Sequence, residues 1–338
     1  MRLIEGLEKA KDGARALPLA EVVAHNLTHL WEHGGRRGKT EAGFQPPWIR
    51  VRPEFMFRPS DDPRGPALPR LVKPRGLQLR LALLLLFDAQ CRHAPGNPVR
   101  NERKVSPHAD DQYTSWRQLV LAPAPAENST RGAGDLRARQ ITEAFLALEQ
   151  QNLLAIKHAA SGRRRTYDDL ELLSDASTPE ESPSYTVPAT GVPISPYLFT
   201  NLWLFALTDT ELATFLVLSR LRGHYPYRHA TEGIYLPDKD RETVYRLTRA
   251  TWRSTDTLHR YGLIDRVKDP RRSFTTGKVG NFGTRWAKGE VMPVHYKIND
   301  DGLRQPALAT IRRVLTAPTD ADRARREGRE LIVGLEDM

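Results

Sequence analysis

Cysteine is almost absent from this chain: Cys91 is the only one in 338 residues. A single thiol can close no intramolecular disulfide and can build no cysteine-based zinc finger. Long apolar runs are missing too. The longest is Leu81–Phe87, far short of the roughly 20 residues that a membrane-spanning helix needs. The N-terminus places Glu5 and Glu8 ahead of any apolar stretch, unlike a secretory signal. These absences give the expectation of a cytoplasmic chain with no membrane partner.

Signatures of catalysis are lacking as well. There is no Gly-x-Ser-x-Gly elbow, no cysteine–histidine nucleophile arrangement, and no His-x-His pair of the kind a DNA nickase uses. The acidic residues scatter without the paired spacing of a hydrolase. The expectation is a protein that is not an enzyme. Two near-motifs fall short. Gly34-Gly35-Arg36-Arg37-Gly38-Lys39-Thr40 resembles a phosphate-binding loop, but the first glycine of G-x-x-x-x-G-K-[ST] would fall on His33. It also follows a helix rather than a strand. His25, His29 and His33 share one helix face, yet Asn26 follows His25, so no H-E-x-x-H exists. A surface stripe fits them better than a metal site, and no cofactor or metal is expected.

Acidic charge is in deficit. Fifty-one Lys and Arg stand against forty-one Asp and Glu, for a net +10 and a pI near 9.8. An acidic partner follows, most simply nucleic acid. The excess is uneven. Residues 241 to 290 hold twelve basic and five acidic side chains, a local +7. Residues 166 to 190 hold six acids and no Lys or Arg, a local −6.

What the chain does have is one pattern that occurs twice. Arg137–Ile156 (RARQITEAFLALEQQNLLAI) and Thr248–Val267 (TRATWRSTDTLHRYGLIDRV) each read as a helix, a sharp turn at Asn152 or Gly262, and a short apolar strand. Ile141, Phe145 and Leu148 form the inward face of the first helix. Thr251, Thr255 and Leu258 form a weaker one on the second. Asn and Gly are the residues that tolerate the left-handed conformation of a helix stop. A basic, Gly-containing stretch follows each strand: Ser161-Gly162-Arg163-Arg164-Arg165 at a hairpin tip, and a long excursion over 268–290 closed by Val291–Ile298.

The rest of the chain is organised around these units. Residues 1 to 76 read as an N-terminal helical region with a break at Gly34-Gly35, followed by a Pro/Arg-rich connector. Leu19, Val22, Val23, Leu27 and Leu30 give that region one apolar face. Eight prolines between 46 and 76 argue against any regular core element there. The first unit spans 77–173. It opens on a strongly apolar helix over 77–92, and Ser115 caps a short second helix. Residues 174–195, rich in acid, Ser, Thr and Pro, read as a linker. The second unit spans 196–303, with a capping box at Thr208–Glu211 and a short strand at Gly233–Leu236. Residues 304–338 read as an amphipathic helical tail.

Leu148-Glu149-Gln150-Gln151-Asn152-Leu153-Leu154 and Leu258-His259-Arg260-Tyr261-Gly262-Leu263-Ile264 resemble the helix-to-strand junctions of the winged helix-turn-helix superfamily. The resemblance covers 77–173 and 196–303. It implies a mainly α fold with small β-hairpins (α+β) and two such domains behind the N-terminal helical region. The tandem arrangement is similar to that of plasmid replication initiators and of some bacterial transcription regulators. The long second wing and residues 1–76 depart from that plan.

The resemblance implies double-stranded DNA as partner, read by recognition helices in the groove. On the first helix the implied contacts are Arg137, Arg139, Gln140 and Glu143. On the second they are Arg249, Arg253, Ser254 and Arg260, with Asp256 beside them. Arg163, Arg164 and Arg165 suit minor-groove or backbone insertion. Lys268, Arg271, Arg272, Lys278 and Arg285 supply the second wing. Phe274, Phe282 and Trp286 either stack on bases or pack the hairpin, and Trp252 is expected to pack beneath it. The expected role is a sequence-specific, nucleoid-associated transcription regulator, with a plasmid or mobile-element replication initiator as the alternative. A winged-helix protein-interaction scaffold is the alternative of another class, and RNA binding is a third option. Two reading heads can grip a two-part site as a monomer, while the N-terminal helices or the tail offer surfaces for a homodimer.

Overall fold

The computed structural model describes residues 13–36, 43–59, 61–62, 65–72, 76–108, 111–121, 133–156, 167, 170–178, 181–267, 280–281, 284 and 293–317. The described residues are mainly helical, with small antiparallel strand pairs. No described helix is long and apolar enough to cross a membrane.

Helix α1, Gly13–His33, buries Ala20, Val23, Leu27 and Leu30, whereas Val22 is 52% exposed and leaves the expected face. Gly34 and Gly35 end it with φ of 66° and 69°, the left-handed region that glycine enters without a Cβ clash. The proline-rich stretch is not a featureless connector. It contains strand β1 (Ile49–Val51), a 3-10 turn at Pro53–Phe55 and helix α2 (Ala67–Leu71). Ile49, Val51, Phe55, Met56, Leu68 and Leu71 are all buried. Three of the prolines sit where no N–H is needed. Pro53 begins the 3-10 turn, Pro66 is the N-cap of α2 and Pro69 lies in its first turn.

The first half then runs α3 (Gln78–Arg92), α4 (Trp116–Leu119), α5 (Ala133–Gln150), β2 (Leu154–Ile156) and β3 (Leu170–Leu172). The Ser115 capping box with Gln118 opens α4. Ile141, Phe145 and Leu148 of α5 are fully buried, and Asn152 takes φ 54°. Strands β2 and β3 pair antiparallel in the register Leu154↔Leu172 and Ile156↔Leu170. The hairpin tip, with Arg163–Arg165, lies outside the described residues.

Residues 174–195 do more than link. Tyr185 donates its N–H to the Leu172 carbonyl (2.8 Å) and accepts the Val99 N–H (3.2 Å). Residues 184–187 thus lie between β3 and the 97–99 segment. Tyr185 and Val187 are buried. Strand β4 (Val192–Ile194) pairs antiparallel with β1 through Ile49↔Ile194 and Val51↔Val192. Asp175 is buried and accepts from the Arg52 backbone N–H (2.6 Å) and guanidinium (2.5 Å). Composition marked this stretch as a linker because its partners lie far away in the chain.

The second half runs α6 (Tyr197–Thr200), α7 (Trp203–Ala206), α8 (Asp209–His224), α9 (Pro226–Thr231), α10 (Asp238–Thr243), α11 (Arg249–Trp252), α12 (Thr255–Arg260), β5 (Ile264–Arg266), β6 (Tyr296–Ile298), α13 (Asp300–Arg304) and α14 (Ala307–Thr316). Thr208 and Glu211 form the expected capping box. Strands β5 and β6 pair through Ile264↔Ile298 and Arg266↔Tyr296, and Ile234 bridges to Tyr296 on the other edge of β6. The described part of the tail includes α14 over 307–316, burying Ile311 while Leu315 is 38% exposed, and 318–338 lie outside the described residues.

The halves are not independent beads. Buried residues from α1 through α14 form one hydrophobic cluster. Phe87 of α3 stacks on Phe199 of α6 with centroids 4.2 Å apart, and Trp31 of α1 meets Tyr197. Arg80 of α3 pairs with Asp209 of α8 and donates to the Leu207 carbonyl at 2.6 Å. The N-terminal region is wedged against both halves, not appended to one.

Candidate nucleic-acid interface

Thr248 starts the second helix-to-strand unit. Its hydroxyl accepts from the Thr251 N–H at 3.1 Å, satisfying a donor that the helix leaves free. The expected single helix over 249–261 is instead two short helices, α11 and α12, joined by a tightened turn at Arg253–Ser254. A tertiary bond meets the chain at this break. The buried hydroxyl of Thr214 on α8 donates to the Thr251 carbonyl at 3.0 Å. That carbonyl also accepts from Ser254 in a 3-10 step of 3.0 Å. Gly262 stops α12 with φ 71°.

Thr251, Thr255 and Leu258 are buried, as their inward assignment requires. Arg249, Arg253 and Arg260 are exposed. No ion pair joins any of the three to another described residue. Ser254 is half-buried and Asp256 exposed. Asp256 pairs with Arg266 of β5, which ties helix to strand and takes Arg266 out of the free charge. Trp252 is half-buried with its edge towards Tyr296, centroids 6.1 Å apart.

Two other basic residues of this stretch are spent on structure. Arg241 is 2% exposed, donating to the Leu247 carbonyl (2.8 Å), Asp238 (3.1 Å) and Glu242 (2.6 Å). Arg246, at φ 50°, reaches the Asp62 carbonyl of the N-terminal region. The local +7 therefore overstates the charge available to a ligand.

The first unit presents a different face. Arg137 is half-buried and donates to the Arg117 carbonyl at 3.3 Å. Burial, reinforced by the Arg117 charge, lowers its guanidinium from the ordinary arginine value. Arg139 is exposed but pairs with Glu143 one turn on, at 2.7 Å. Gln140 is half-buried. The outward positions of α5 are thus Asp135, Arg139, Glu143 and Gln150, with two acids and one arginine.

Arg163, Arg164, Arg165, Lys268, Arg271, Arg272, Lys278 and Arg285 lie outside the described residues, as do Phe274, Phe282 and Trp286. Arg249, Arg253 and Arg260 are exposed and in no ion pair with another described residue. The structure commits Arg137 to packing and Arg139 to an ion pair. Sequence reasoning missed the Asp256–Arg266 tie and the Thr214 bond, neither of which leaves a local signal. The His29 and His33 rings meet at a tilt of 54°, centroids 5.0 Å apart. Among the described residues no three His, Cys, Asp or Glu side chains gather as a metal ion would need. No known protein family, curated protein or solved structure matches the chain.

Proposed function

We propose that this chain binds double-stranded DNA sequence-specifically as a transcription regulator, through two winged helix-turn-helix units. The element order supports the fold reading. In the second half, α8, the Ile234 bridge, α10, α11–α12, β5 and β6 run in the helix, strand, helix, helix, strand, strand order of such a unit, with the short helix α9 inserted after α8. The first half follows a related order from α3 to β3, with residues 184–187 inserted beside β3.

The observation that carries the functional reading is the row of Arg249, Arg253 and Arg260. A capped, tertiary-locked helix pair holds three exposed arginines, unpaired with other described residues. Guanidinium groups so placed match phosphate oxygens and the guanine edge. The shared core supports a fixed spacing between the two units, which suits a two-part DNA site.

Genomic fragments captured by the purified protein at moderate salt, then sequenced, test this. A few sharply enriched sites overlapping promoters are expected. Enriched direct repeats beside an AT-rich stretch would favour the replication-initiator reading. Uniform or absent enrichment, or preference for RNA over duplex DNA in competition, would overturn sequence-specific DNA binding.

A further inference from the structure

A cavity of about 480 Å³ opens between the N-terminal region and the second half. That volume falls within the range of small-molecule sites. It is separate from the arginine row, because Arg249, Arg253 and Arg260 do not line it. Its walls come from four places in the chain: Phe57, the end of α8 with Arg220, α9 with Arg228, and the 235–245 stretch with Tyr235, Asp240 and Tyr245.

The chemistry of these walls is specific. Arg220 lies over the Phe57 ring at 4.8 Å, and Arg228 over the Tyr235 ring at 4.9 Å. Phe57 in turn meets Tyr245 edge-on at 5.8 Å. The Nε atoms of Arg220 and Arg228 are both buried and have no hydrogen-bond acceptor. A buried donor without an acceptor is costly to keep, and two in one cavity call for an explanation. The carboxylate nearest Arg228 Nε is that of Glu232, at 3.6 Å, too far for a hydrogen bond. Asp240 is the one acid in the lining, against two arginines.

We propose that this cavity binds a small aromatic anion. Its ring would lie among Phe57, Tyr235 and Tyr245, and its carboxylate or phosphate would accept from the two arginines. His295 stacks on Tyr235 at 4.9 Å and the two arginines lie over Tyr235 and Phe57, so a bound ring would meet the edges of these aromatics, a favoured aromatic geometry. Guanidinium groups already stacked on rings are pre-oriented to grip a planar or tetrahedral oxyanion. The inference is independent of the DNA-binding reading.

Calorimetric titration of the full-length protein with benzoate, phenyl phosphate and inorganic phosphate tests it. Saturable one-site binding of at least one aromatic anion is expected, with inorganic phosphate at least about tenfold weaker. Whichever aromatic anion binds more tightly tells a carboxylate from a phosphate ligand. Arg220→Met and Arg228→Met each keep the stem that covers the ring and remove the donor fork. Each should weaken binding by about tenfold or more, with an unchanged circular dichroism spectrum. Arg228 sits on a short surface helix, so R228M alone decides if R220M fails to fold. Three results would each overturn the proposal: no aromatic anion bound below about 10 mM, affinity unchanged in R228M, or inorganic phosphate bound as tightly as phenyl phosphate.

Discussion

The two helix-to-strand units follow the same local rules and present opposite faces. On α5 the outward positions are Asp135, Arg139, Glu143 and Gln150, and the one arginine is held by Glu143 at 2.7 Å. On α11–α12 the outward positions hold Arg249, Arg253 and Arg260, and Asp256 is occupied by Arg266. Inward burial specifies the fold and is similar in both. The charge left over after ion pairing decides what a surface can bind, and of α5 and α11–α12 only the latter has a surplus. In the proposed function the second unit supplies most of the phosphate attraction, and the first supplies spacing or base discrimination.

A second difference lies in how each half buries an arginine. Arg103 in the first half is wholly buried, and its partner Asp88 is buried too, accepting from Arg103 Nε at 2.6 Å and Arg92 Nε at 3.2 Å. Arg241 in the second half is equally buried, but its partners Asp238 and Glu242 have side chains 85% and 64% exposed. Removing one partner of a buried pair strands a charge, at a cost of about 3–5 kcal/mol. Removing an exposed partner costs about 1 kcal/mol or less. Urea unfolding should show Asp88→Asn losing several kcal/mol and Asp238→Asn almost nothing. Equal losses would break the contrast. Burial pushes the Asp88 carboxyl up, but Arg103 and Arg92 together outweigh it and hold it below the usual aspartate value. Its contribution is therefore present above the ordinary aspartate pKa and lost as pH falls through the lowered one. The gap between wild type and D88N should close in strong acid.

The next largest effect is on affinity. Arg249→Ala, Arg253→Ala and Arg260→Ala combined should weaken DNA binding by about a hundredfold and lower the salt slope by about three. Arg139→Ala should change affinity by less than about threefold, because its charge is already paired. Titration by fluorescence anisotropy at several salt concentrations reads both quantities. A triple variant that retains both affinity and slope would falsify the assignment of this face to DNA.

Local structure was legible where local chemistry causes it. The spacing of Ile141, Phe145 and Leu148 marked a helix face, Asn152 and Gly262 marked left-handed stops, and Thr208–Glu211 marked a cap. The misread stretches depend on distant partners. Ile49 pairs with Ile194, and neither neighbourhood looks like a strand by composition. Tyr185 is buried because Leu172 and Val99 lie beside it, which no acidic, Ser-rich window reveals. The break at Arg253–Ser254 lies where a hydroxyl on α8 meets the Thr251 carbonyl. For the candidate interface, side-chain type was legible and availability was not. Arg241, Arg246 and Arg266 counted as surplus charge until their partners were known.

The smallest effect is a pH dependence of the contact between α9 and β6. His229 Nε2 accepts the Ile298 N–H at 2.8 Å, so a neutral ring holds β6 against α9. Burial first, then the charges of Arg222 and Lys297, lower its pKa from 6.5, against a weaker pull from Asp300. A histidine with a lowered folded pKa costs nothing above its ordinary value. It loses stability as pH falls below about 6.5 towards the lowered one. The contact between β6 and α9 should therefore loosen in mild acid, while the Asp88 pair holds until strong acid. Hydrogen exchange at the Ile298 amide, compared at pH 7.5 and 5.5 (conditions chosen to bracket the histidine range, about one unit either side), should show faster opening at the lower pH. His229→Gln keeps an acceptor that does not titrate and should flatten that dependence. The same pH dependence in wild type and H229Q would assign the loosening to another group.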